Sequence, residues 1–171
     1  MTTPFPRALL LGAVVGMRSQ LPIALLGLES ARGRFDPGRS WPARRLATPG
    51  GVAAAVLASV GELVGDKLPA IPDRTRPGPF AGRVAIGALV GAAVYQDADG
   101  LAAYGAVVGA AAAAASTLAL ARARAALGRR TPLPDWAWGV VEDGLALTLG
   151  LLAVRSRPGS PRNQATTPHI R

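Results

Sequence analysis

Cysteine is absent from the 171 residues, so neither a disulfide nor a thiolate metal site can form. Histidine occurs once, as His169 near the end, which leaves no imidazole for a zinc centre or a catalytic triad in the body of the chain. Aromatic residues make up only 5% and are too sparse to alternate with arginines as a base-stacking platform. Acidic residues are few as well, ten against nineteen lysines and arginines, for a net charge of +9. The bases lie mostly between apolar blocks, where they serve topology and lipid headgroups; no nucleic-acid partner is read from them. No Gly-x-Ser-x-Gly motif and no metal-ligand set occurs, and the chain is read as neither an enzyme nor a holder of any cofactor.

Half of the residues are hydrophobic and 17% are charged, and the mean hydropathy is +0.29. The apolar residues come in long blocks, where a soluble amphipathic helix would show a stripe. This predicts an all-α, polytopic transmembrane helix bundle of four to five spans, multi-pass in the cell inner (plasma) membrane with lipids as its surroundings. Residues 1–154 read as a single helical membrane domain and 155–171 as a disordered basic tail rich in proline. The expected spans are residues 7–28, 50–68, 80–95, 101–121 and 135–154, the third short enough to be re-entrant. A tight turn is expected at 96–100 and a basic loop at 122–134. With five spans the bases divide nine against nine between the two sides, and the positive-inside rule returns a tie.

Residues 12–22, Gly-Ala-Val-Val-Gly-Met-Arg-Ser-Gln-Leu-Pro, organise the rest. Arg18 falls in the middle of an apolar run of 21 residues, 8–28. A charge there costs about 3 kcal/mol on insertion scales and must face a partner inside the bundle. Pro22 has no N–H to give the Arg18 carbonyl, so the first span should kink or break near Arg18–Pro22. Ser19 and Gln20 can bond the freed backbone groups. In the second span Glu62 and Asp66 are four apart and share a helix face. Gly61 and Gly65 beside that face would let a neighbouring backbone approach. The last span carries Glu142 and Asp143. Four acids against Arg18 and Lys67 leave two carboxylates in surplus, to be protonated, cation-bound or hydrated. Arg18 is expected to pair with carboxylates of the second or last span, Glu142 and Asp143 first and then Glu62 and Asp66, with Glu142→Gln the first rescue partner and Glu62→Gln the second. Small-xxx-small spacing at Gly12/Gly16, Gly61/Gly65, Gly87/Gly91 and Gly105/Gly109 suits close helix packing and homo-oligomer faces.

Three of these stretches also carry a resemblance. Gly16-Met-Arg-Ser19 with Pro22, residues 62–69 (Glu-Leu-Val-Gly-Asp-Lys-Leu-Pro) and Glu142-Asp143 resemble, in that order, the domain-of-unknown-function 4126 family of small bacterial integral membrane proteins. The resemblance implies a multi-span helical protein and brings no substrate or reaction. Two functions remain: a small transporter or channel-like protein whose mid-membrane site comprises Arg18, Ser19, Glu62, Asp66, Glu142 and Asp143, or a structural membrane protein whose charges only fix helix packing.

Overall fold

Proline sets the first two helices. Pro6 lies in the first turn of α1 (Phe5–Met17) and Pro22 in the first turn of α2 (Leu21–Ala31), where a missing N–H costs nothing. Between them Arg18 is extended, with φ −136° and ψ 105°. The expected break is therefore present, and it follows from the clash of the Pro22 ring with the Arg18 carbonyl. At the far end of α2, Gly33 takes φ +67°, donates from N to Ser30 O at 2.9 Å, and is followed by Arg34 N to Glu29 O at 2.8 Å. That pair of bonds is a Schellman cap, which stops the helix. The structure, a computed structural model, describes residues 3–36, 44, 48–65, 75–130 and 135–156. Trp41, Asp66, Lys67 and the tail beyond 156 lie outside the described residues.

The break does more than kink a span. Arg7, at the start of α1, donates to Asp97 Oδ2 at 2.7 Å, and Asp36 N, just past α2, donates to Asp97 Oδ1 at 2.9 Å. Both ends of the α1–α2 unit thus meet at one carboxylate, and the chain reverses at residues 18–20. The expected first crossing is instead a helical hairpin. It is α1, 13 residues and about 20 Å long, that sets its depth.

Four further helices enclose it: α3 (Pro49–Gly65), α4 (Pro77–Asp97), α5 (Ala102–Arg130) and α6 (Asp135–Arg155). The expected turn between α4 and α5 is present. The Tyr95 carbonyl accepts from Ala98 N at 3.1 Å and Gly100 N at 2.7 Å, and Asp99 takes φ +53°. α4 and α5 then run antiparallel with their backbones nearly touching. A Cβ placed on Gly91 would strike the Gly105 carbonyl, and one on Gly87 would lie 2.6 Å from Gly109 O. α1 seats into the same seam, where a Cβ on Gly12 would lie 2.6 Å from Gly109 O. The small-residue spacing of three of the four pairs is accounted for in this way. Gly61 is the exception: among the described residues nothing lies within 4 Å of a Cβ there, so none of them makes the close approach expected beside it.

α1 is the hub. It packs on α5, α4, α6 and α2, and Ala8, Leu11, Val14 and Val15 are fully buried. α3 lies antiparallel along α2, burying Val52, Ala55 and Ser59, and α6 packs on α1 and α2 while barely touching α5. The outer surface keeps Leu57, Val107, Val141 and Leu152 exposed, as on helices whose outer faces meet lipid.

Among the described residues three helices are long and apolar enough to cross a membrane, namely α4, α5 and α6, fewer than the four to five expected. The first expected span is divided into two short helices, and α3 has only 17 residues. The helix at 80–95 is longer than expected because Pro77 opens it, giving 21 residues. The hairpin, and not this helix, is the element that returns. α5 runs through the expected loop as far as Arg130, since the sequence offers no breaker before Gly128.

The hairpin makes topology testable in this cysteine-free chain. Its mouth brings the start of α1 to the end of α4, and Arg155 of α6 lines a cavity with Glu29 and Arg34 at the same end. Because α4 ends at the mouth, the 17-residue α3 must carry the chain to the opposite side: in cells, Thr3→Cys, Arg44→Cys and Ser156→Cys should react with an impermeant maleimide from one side, and Thr75→Cys from the other. A five-crossing chain would instead pair Thr3 with Thr75.

Candidate functional site at the hairpin tip

Breaking a helix exposes the C-terminal carbonyls of one half and the N–H groups of the next, with partial charges of opposite sign. Each half is met by a charged side chain from a neighbouring helix. Arg83 of α4 points its Nη1 at the end of α1, 3.2 Å from Gly16 O and 3.4 Å from Met17 O. Glu62 of α3 receives the start of α2: Oε1 accepts from Ser19 N at 2.9 Å and Ser19 Oγ at 3.0 Å, and Oε2 from Gln20 N at 3.0 Å. The two clamps join each other, since Arg83 Nη2 is 3.2 Å from Glu62 Oε1. Glu62 is thus an N-cap supplied from another helix, and Arg83 is its counterpart at the opposite dipole end.

Arg18 turns the other way. It is 2% exposed, and its Nε donates to Asp143 Oδ1 at 2.6 Å, with Nη2 on the same oxygen. Its Nη1 reaches Met17 O at 3.2 Å. The neighbouring Glu142 points about 100° away around α6. It meets Arg124 of α5 at 3.5 Å. Two hydroxyls complete the polar lining on α5: Ser116 Oγ donates to Ala13 O at 2.9 Å, and Thr117 Oγ1 to Ala113 O at 2.7 Å. Thr117 is completely buried beside Gly16, near the midpoint of the 29-residue α5.

The structure brings together five of the six expected site residues: Arg18, Ser19, Glu62, Glu142 and Asp143. The sixth, Asp66, lies outside the described residues. The partner of Arg18 is Asp143, with Glu142 and Glu62 turned to other arginines. Arg83 and Arg124 were missed because they were counted as flanking bases. With them the described cluster has three arginines and three carboxylates, so the acid surplus read from the sequence is not present there. Two signals could have found them. Pro77 as a helix start puts Arg83 a turn and a half inside, and the uninterrupted Thr-Leu-Ala-Leu-Ala-Arg-Ala-Arg of 117–124 continues the helix.

A second ion pair closes the hairpin's mouth. Arg7, 8% exposed, lies against Asp97 and over the Phe35 ring at 5.4 Å. Its Nε and Nη2 are buried without a hydrogen-bond partner among the described residues.

A bundle with three membrane-length apolar helices, a helical hairpin inserted among them and ion pairs at its tip has the build of an integral membrane protein. The chain belongs to the family described as domain of unknown function (DUF4126), whose model matches residues 7–156. No curated protein and no solved structure matches it.

Proposed function

We propose that the chain is a small multi-pass membrane transporter of the bacterial plasma membrane, with its site at the tip of the α1–α2 hairpin. The supporting observation is the broken helix near the middle of α5, with Glu62 on one dipole end and Arg83 on the other. Discontinuous helices with charged groups at such depth are the usual architecture of ion and substrate sites in transporters. Opening the tip requires Glu62 to release Ser19, Gln20 and Arg83 together, so its carboxylate couples the two halves of the broken helix. α5 and α6 hardly touch, which leaves Arg18–Asp143 and Arg124–Glu142 on the flank through which a solute would reach the tip.

Proteoliposomes carrying the purified protein should show proton or cation flux. Glu62→Gln should lower it at least about tenfold while keeping a monodisperse size-exclusion peak. Each full pairing of the cluster also favours a second reading, in which the charges only fix helix packing. Absence of flux over a broad ion panel selects that structural reading.

A further inference from the structure

The cavity at the hairpin's mouth is distinct from the tip. It lies between the end of α2 and the end of α6, holds about 570 Å³, and is lined by Glu29, Arg32, Arg34, Leu151, Val154 and Arg155. Two guanidiniums, Arg32 and Arg34, converge there on a single carboxylate, and a third, that of Arg155, lines the wall. Glu29 Oε1 accepts from Arg32 Nη1 at 3.0 Å and Arg34 Nη2 at 2.6 Å, and Oε2 from Arg34 Nε at 2.8 Å. One carboxylate cannot balance three cations, so the cavity keeps a net charge of about +2. More than half of the Arg32 and Arg34 side-chain surface stays open, at 55% and 57%.

We infer that this cavity binds the phosphate ester of an anionic phospholipid. The chemistry required is a small, multiply accepting anion, which guanidinium groups grip in two-pronged fashion. A free phosphate would satisfy the arginines equally well. The wall favours the lipid: Leu151, one turn below Arg155, and Val154, next to it, line the cavity at the end of a helix of membrane length, and Leu152 is exposed on the outer surface. A headgroup at the arginines leaves its acyl chains running down that apolar face. Basic pockets between helices at the membrane surface suit such headgroups. The lipid would bridge the returning arm of the hairpin to α6 and hold the two together. This inference rests on the membrane reading of α6, and is independent of transport.

The test is native mass spectrometry of the intact protein with phosphatidylglycerol, phosphatidylcholine or inorganic phosphate added, together with the double variant Arg32→Ala/Arg155→Ala. Phosphatidylglycerol should be retained over phosphatidylcholine, and the double variant should lose about 25-fold in affinity, near fivefold per arginine. A circular-dichroism melt of the variant checks that it is folded. Equal retention of the two lipids, or unchanged phosphatidylglycerol binding in the folded variant, overturns the site. Displacement of the lipid by inorganic phosphate at equal concentration overturns the lipid as its source. Flux lost in Glu62→Gln with lipid binding intact would separate the two proposals.

Discussion

Arg18→Ala should be the most damaging single charge removal in this chain, lowering stability in detergent by about 3–5 kcal/mol. On the usual scaling that is a fall in melting temperature on the order of 10 °C. The reason is the partner left behind. Asp143 receives Nε and Nη2 of Arg18 on one oxygen, and without them it remains a carboxylate among apolar helices. Adding Asp143→Asn should restore much of the loss, because the pair then leaves together. Adding Glu142→Gln should restore nothing, since that carboxylate serves Arg124. A thermal melt of the single and double variants decides the matter. Near-wild-type stability of Arg18→Ala alone would show the arginine is paired with water or headgroups.

Gly109→Ala should be comparably severe, for steric reasons. A methyl group there meets the Gly87 carbonyl oxygen and falls 3.0 Å from Gly91 Cα, and both obstacles are backbone. α4 and α5 must separate, and α1, which packs on the same glycine through Gly12, separates with them. Overpacking of this kind typically costs about 1–3 kcal/mol and more when nothing can yield. Alanine's better helix propensity, worth about 1 kcal/mol, acts in the opposite direction and makes a net loss the more telling. Gly61→Ala is the matched control. No described residue lies within 4 Å of that position, so its melting temperature should hold or rise slightly.

The two glycines show where the sequence was informative. Gly61 and Gly105 each open a pair of the same spacing in similar apolar surroundings, yet among the described residues only Gly105 lies in a seam. Spacing marks a face on which a backbone can approach, and the neighbour's position decides whether one does. The hairpin follows the same logic. Pro22 and Arg18 announced the break, because proline chemistry is local. Whether the chain then continued or turned back depended on Asp97, which is 90 residues from Arg7 and 61 from Asp36. The choice between Glu142 and Asp143 was equally hidden. α6 is apolar on every side, so no stripe shows which of two adjacent acids faces α1. The misplaced boundaries at 80 and 121 had simpler origins. Pro77 and Pro79 read as part of a connection and Arg122 and Arg124 as loop bases, although Pro77 opens α4 and Arg124 is inside α5, held by Glu142.

The closing of the hairpin mouth and the seating of Arg18 both use partners that are made late. Asp97 and the glycines of α4 and α5 emerge well after α1, and Asp143 follows Arg18 by 125 residues. At about 5–20 residues per second of synthesis, Arg18 waits roughly 6–25 s for its counter-charge. Glu62 and then the α4–α5 seam are made during that time, and the Asp143 carboxylate comes last. The final helix therefore completes the charge pairing of the bundle: until α6 is made, Arg18 lacks the Asp143 carboxylate that it grips in the finished fold.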